Sequence, residues 1–228
     1  MTKSALLLGA SGLVGGHCLK LLLEDEAYAK VTAWVRKPLA LCHPKLEQTV
    51  VDFTRLESYA ERAKANDVFC CLGTTIRKAG SQAAFRQVDF THPVEIAKIA
   101  VANGAGQFLI VTSLGANPKS PIFYNRVKGE VEAAITPLPF HAVHIFRPSL
   151  LLGERQEVRP GEKIGAKVAG AFSFLFRGPL RKYRPIHARV VAAAMIAIAK
   201  QNLAGVNIFE SDWIEEVGGK YGIFLLSV

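Results

Sequence analysis

The chain has 228 residues, half of them hydrophobic and 21% charged, which suits one packed α/β domain and excludes a disordered chain or two full domains with separate cores. A formal charge of +9 raises nucleic acid or an anionic surface as partners, but few aromatic residues interleave with the basic ones as a stacking surface requires, so nucleic-acid binding is not expected. Four scattered cysteines and six single histidines give neither a disulfide framework nor metal-ligand spacing.

Ala5-Leu-Leu-Leu8 reads as a buried first strand that stops at Gly9, Gly12 and Gly15, spaced GxxGxxG, and opens onto a helix beginning near Leu13. In that arrangement Gly9 turns the chain, Gly12 lets backbone N–H groups approach a pyrophosphate, and Gly15 lets helix and strand pack closely. Only Lys3 precedes the apolar run, and glycines break it where a secretory h-region would continue. A cytoplasmic protein is therefore expected. No stretch reaches the ~18 to 20 apolar residues of a membrane helix, so no span is expected.

Further strands are predicted at Val31–Val35, Gln48–Val51, Val68–Leu72, Phe108–Thr112 and Ala142–Phe146, and helices at Leu56–Ala63, Val94–Asn103 and Tyr124–Ile135. This alternation predicts a doubly wound parallel sheet, a Rossmann fold, with ligands beyond the carboxyl ends of the strands. After Leu150 come a helix-like Lys163–Phe176, a Gly178-Pro179 break, a helix at Val190–Lys200, a strand at Val206–Phe209 and a last helix from about Ser211. The whole chain, 1–228, reads as one domain, in which 150–228 contributes a small lobe covering the substrate.

The end of the second strand carries Arg36 and Lys37, where NAD-binding chains place a carboxylate for the ribose; two cations favour the 2′-phosphate of NADP(H). At the end of the third strand, Asp52, next to Phe53, either accepts from the adenine amino group or caps a turn. The fourth strand ends in Cys71-Leu72-Gly73-Thr74-Thr75, small enough for close passage of a ribose and pyrophosphate.

Ser113 follows the fifth strand, and Tyr124 and Lys128 stand four apart on the next helix, hence on one face. A lysine there lowers the phenol pKa from about 10 toward the working pH. Tyr124 then serves as acid while Ser113 polarises a substrate carbonyl.

The GASGLVG loop, Ser113 with Tyr124-xxx-Lys128, and Arg147-Pro-Ser-Leu-Leu resemble the short-chain dehydrogenase/reductase superfamily in its atypical or extended branch. More narrowly, Val51-Asp52-Phe53, Phe69-Cys-Cys-Leu-Gly-Thr-Thr75, Lys128-Gly-Glu-Val-Glu132, Phe146-Arg-Pro148 and Arg159-Pro-Gly-Glu162 are similar to the family of the Tat-interactive oxidoreductase-like protein and its bacterial homologues. The resemblance implies NADPH binding with Ser11, Gly12, Leu13 and Val14 on the pyrophosphate, Arg36 and Lys37 on the 2′-phosphate, Leu72 and Gly73 along the cofactor, and Leu151 and Arg159 near its far side. It also places Tyr124 and Lys128 in the catalytic positions. Where many superfamily members carry an Asn for a proton-relay water, this chain has Asp89.

These readings converge on an NADP(H)-dependent oxidoreductase that moves hydride between nicotinamide and a small carbonyl or alcohol substrate. The alternative is a non-enzymatic NADP(H)-binding regulator. A homo-oligomer is compatible with this sequence.

Overall fold

The computed structural model describes residues 2–153 and 178–224. Arg159 and the predicted helix Lys163–Phe176 lie outside the described residues.

The strands are β1 (Lys3–Leu8), β2 (Tyr28–Val35), β3 (Leu46–Val50), β4 (Asp67–Cys70), β5 (Gln107–Val111), β6 (Ala142–Arg147), β7 (Leu151–Leu152), β8 (Ile186–His187) and β9 (Gly205–Glu210). Seven of them form one sheet in the order β3-β2-β1-β4-β5-β6-β9. Every neighbouring pair in it is parallel. A parallel sheet with helices on both faces buries its central strands on both sides, which is why Leu6, Leu7 and Leu8 are all apolar and wholly buried. β7 and β8 pair separately, Leu151 with Ile186 and Leu152 with His187.

The helices are α1 (Leu13–Glu24), α2 (Ile76–Ala79), α3 (Gln82–Arg86), α4 (His92–Ala102), α5 (Phe123–Ile135), α6 (Ala188–Ala199) and α7 (Ser211–Phe224). Leu56–Arg62 is a 3₁₀ helix, and a π-helical turn, Gln87–Thr91, joins α3 to α4. On one face of the sheet, Cys18 and Leu22 of α1, Val191 and Met195 of α6 and Ile214 of α7 pack with Leu7, Phe69, Leu109 and Phe146. On the other face, Ile96 and Ala100 of α4 and Val131 and Ile135 of α5 pack with Leu6, Leu8, Val68, Ile110 and Ile145.

The tail beyond Gly178 does more than cover the sheet. Val191 through Ala199 are all buried, as expected of a helix that is apolar all round, and β9 extends the sheet beside β6. At the amino ends of the strands, Asp67 accepts hydrogen bonds from Tyr28 Oη (2.6 Å), Lys3 Nζ (3.1 Å) and Gln107 Nε2 (3.1 Å). Lys3 and Gln107 also donate to the Ala199 carbonyl, at 2.9 and 3.1 Å, and so fix the end of α6 to the sheet.

The chain leaves β1 and β4 toward opposite sides, so the order reverses between these two strands. A crevice of this kind, beyond the carboxyl ends of the strands, is the general ligand position in doubly wound sheets.

Candidate active site

The glycine loop occupies this crevice. Gly9 has φ +80°, and a Cβ there would lie 2.5 Å from the Cys71 carbonyl oxygen, so the turn and its approach to the end of β4 both need glycine. A Cβ on Gly15 would lie 2.1 Å from the Gly9 carbonyl oxygen. Gly12 is the N-cap of α1 with no side-chain cap, and its own N–H donates to Gly9 O at 2.8 Å. Among the described residues no side chain caps this end, so the first amides of α1, which have no intrahelical partners, and the positive end of the helix dipole are available to an anion. Ser11 and Gly12 are exposed, and Leu13 lies under Gly153, where a Cβ would come within 2.7 Å of the Leu13 side chain. The segment containing Leu151 is thus brought over the loop.

Arg36 and Lys37 follow β2 and are exposed, and among the described residues neither has an ion-pair partner. Asp52 accepts from Thr54 N at 2.9 Å and Thr54 Oγ1 at 2.7 Å. These bonds hold its carboxyl below the usual range, and of the two roles left open by the sequence the turn cap is the one seen. Phe53 packs its ring against His92, 5.2 Å between centroids.

Leu72, Gly73 and Thr74 pass over a buried ion pair. Lys128 Nζ is 2.7 Å from Asp89 Oδ1, with side chains 6% and 0% exposed. A Cβ on Gly73 would lie 3.6 Å from that oxygen and 3.9 Å from Nζ, and Thr74 N–H donates to Asp89 Oδ2 at 2.9 Å. Burial alone would push the Lys128 ammonium down, but the Asp89 carboxylate and then Tyr124 more than offset it, so Lys128 is held above the ordinary lysine value.

Tyr124 is half-buried on α5, its ring 5.6 Å from that of Phe85. Ser113, two residues beyond β5, is buried, and its Oγ has no hydrogen-bond partner among the described residues. A buried, unpartnered hydroxyl costs free energy unless something else satisfies it, which fits a ligand-facing role.

The loop carrying Ser113 is clamped to α5. Asn117 N donates to Asn125 O at 3.0 Å, and a Cβ on Gly129 would lie 2.2 Å from Asn117 C. Behind Ser113, Thr112 Oγ1 donates to the buried Glu132 at 2.6 Å, and Glu132 also accepts from Arg147 Nε at 3.0 Å. Sequence reading missed this clamp and brace. The signals were Gly129 directly after Lys128 and Arg147 at the end of the mostly apolar sixth strand.

The fold and the glycine loop at its strand ends define a Rossmann protein of the NAD(P)H-binding class. A family model described as NAD(P)H-binding matches residues 9–137, and the chain belongs to that family. It is 42% identical over 173 residues to protein HTATIP2 of Rattus norvegicus, covering 74% of this chain and 71% of the relative. It is 31% identical over 223 residues to protein FMP52, mitochondrial, of Candida albicans, covering 95% of each. Among solved structures, the Bordetella bronchiseptica enzyme WbmH in complex with NAD+ gives a TM-score of 0.71 at 14% identity, covering all of this chain and 83% of that one. MoeE5 in complex with UDP-glucose and NAD gives 0.68 at 16%, covering 95% and 81%. Identities this low speak for the fold alone.

The expected cytoplasmic location is corrected by these relatives. Fungal proteins similar over 87 to 95% of the chain are named mitochondrial. The expectation rested on the lack of a secretory h-region, and import into an organelle uses a different kind of signal. Among the described residues no helix is long and apolar enough to cross a membrane, and no group of three or more His, Cys, Asp or Glu side chains is placed to hold a metal.

Proposed function

We propose that the protein is an NADP(H)-dependent oxidoreductase that interconverts a small carbonyl compound and its alcohol. One observation carries the reading: Tyr124 and Lys128 lie on one face of α5, to which is clamped the loop bearing the buried Ser113 hydroxyl, unpartnered among the described residues.

The residues present suit a dinucleotide. The backbone of Ser11, Gly12, Leu13 and Val14 would hold the pyrophosphate at the uncapped end of α1, with Gly9 and Gly15 keeping the cradle open. Arg36 and Lys37 would take the 2′-phosphate, and their charge is the reason to prefer NADP(H) over NAD(H). Asp52 and Phe53 would border the adenine end, Leu72, Gly73 and Thr74 the middle, and Leu151 and Arg159 the far side. When bound, the nicotinamide supplies or accepts the hydride.

The chain's own groups handle the oxygen and its proton. Ser113 Oγ donates to the substrate oxygen and polarises the carbonyl, while Tyr124 Oη gives its proton to the oxygen as negative charge develops there. The ammonium of Lys128 stabilises the phenolate that Tyr124 becomes and offers a donor to the adjacent ribose. Segment 150–228, through Leu151 and Gly153 over Leu13, would close one side of the crevice and exclude water.

The test is Tyr124→Phe, which removes one oxygen and leaves the ring against Phe85. NADPH affinity should stay within a factor of about two, while kcat on any carbonyl the wild type reduces should fall by roughly 10² to 10⁴. A wild type that binds NADPH yet reduces nothing across aldehydes and ketones would return the regulator reading.

A further inference from the structure

Lys128 does not face Tyr124 as a lone cation. Its partner Asp89 is carried by the π-helical turn Gln87–Thr91, while the flanking Val88 and Phe90 stay half-buried. A π turn inserts an extra residue and so rotates what faces the interior, and such turns concentrate at functional positions. Here it directs inward a carboxylate whose side chain is 0% exposed.

A carboxylate this deep needs compensation for both oxygens. Oδ1 lies on Lys128 Nζ at 2.7 Å and Oδ2 accepts from Thr74 N–H at 2.9 Å, so one side chain joins the lysine of α5 to the loop after β4. Gly73 lies against the same pair.

We propose that Asp89 is a positioning residue of this site: with one oxygen on the Lys128 ammonium and the other on the Thr74 amide, it fixes the lysine against the Gly73–Thr74 loop and keeps the buried group facing Tyr124 a charged ammonium. The proposal rests on the reading of Tyr124 and Lys128 as the chemical centre, and it deepens that reading. Its consequence is that the charge of Lys128 depends on Asp89. Burial opposes that charge and the carboxylate restores it.

Among the described residues, the other charged or titratable groups near the pair do not substitute for Asp89. From α5 the pair is faced by Tyr124, and from β4 by the Cys70 thiol, which burial holds protonated up to about 12. Arg86, on α3, pairs with Glu130 and sits over the Phe90 ring at 4.2 Å. His92, at the start of α4, packs against Phe53.

Asp89→Asn keeps the size and leaves an oxygen to accept from Thr74 N–H. Its NH₂ then meets the ammonium donor to donor. In the cofactor-free protein, with lysines labelled at ¹³Cε and the Lys128 signal assigned from Lys128→Arg, the Lys128 midpoint should fall by about one pH unit or more in the Asn variant. The alkaline limb of the pH profile for NADPH-dependent reduction should move down with it.

A folded Asp89→Asn protein whose Lys128 midpoint is unmoved overturns the proposal, whatever its turnover. A midpoint that falls in a protein that reduces nothing supports the pairing while defeating the catalytic reading, so the two failures are separable. Should Asp89→Asn not fold, the wild-type titration decides. A Lys128 midpoint above the ordinary 10.5 supports the pairing, and one below it overturns the proposal.

Discussion

Gly15 packs so closely on Gly9 that a Cβ at position 15 would lie 2.1 Å from the Gly9 carbonyl oxygen. The obstacle is backbone, at the turn that also meets Cys71, so it cannot swing aside. Gly15→Ala should therefore push α1 off β1, lowering stability by about 1 to 3 kcal/mol in urea unfolding and weakening NADPH binding. Gly16→Ala is the contrast. Its Cβ would meet Ala10 O at 3.5 Å, an ordinary contact, and alanine suits a helix better than glycine by about 1 kcal/mol. That variant should be neutral or stabilised.

Arg36 and Lys37 set the expected cofactor preference. NADPH should bind at least about tenfold more tightly than NADH in a fluorescence titration, a difference of about 1.4 kcal/mol. Arg36→Asp should reverse the order by repelling the 2′-phosphate and accepting from the free ribose hydroxyl. Equal affinities in the wild type would remove the basis for the assignment.

His144 predicts acid sensitivity. Burial, with smaller contributions from His141 and Lys3, depresses it from 6.5 to about 4, and its Nε2 is 3.1 Å from Gln107 Oε1. The unfolded chain binds a proton on His144 below about pH 6.5, whereas the folded chain resists until about 4. The unfolded state thus holds more protons in that window, and stability should fall as pH drops from 6.5 toward 4. The loss should be on the order of 2 to 3 kcal/mol. His144→Gln keeps a donor for Gln107 and should flatten the dependence across this window, measured as unfolding midpoint against pH.

Truncation after Leu150 should abolish solubility as well as turnover. It removes α6, α7 and β9, and so uncovers Leu7, Phe69, Leu109 and Phe146 and leaves β6 as a bare edge. A soluble, active fragment would contradict the packing.

The strands were legible because burial on both faces demands apolar runs, unbroken in Ala5–Leu8 and interrupted only by His144 in Ala142–Phe146. Their observed ends differ by only a few residues, as with β2 beginning at Tyr28. The helix over Val94–Asn103 was legible in its apolar spacing, but its approach through α3 and the π turn was not. Asp89 and Arg86 interrupt the apolar pattern there, and only the contacts of Asp89 explain the interruption. β7 and β8 were missed because two-residue strands have no periodicity to detect.

The sequence by itself determined the alternation of strands and helices, the glycine turn after β1 and the placing of Tyr124 and Lys128 on one helical face. Each of these follows from local spacing: the period of a strand, the turn of a helix, or the φ that only glycine adopts freely. The tertiary structure alone decided that Lys128 is paired with Asp89, that Ser113 is buried against α5 with no partner among the described residues, and that α6 and β9 belong to the central core. The ion pair joins residues 39 positions apart, and Gly153 meets Leu13 across a far longer stretch of chain. Burial and charge then act between groups whose proximity no spacing in the chain records.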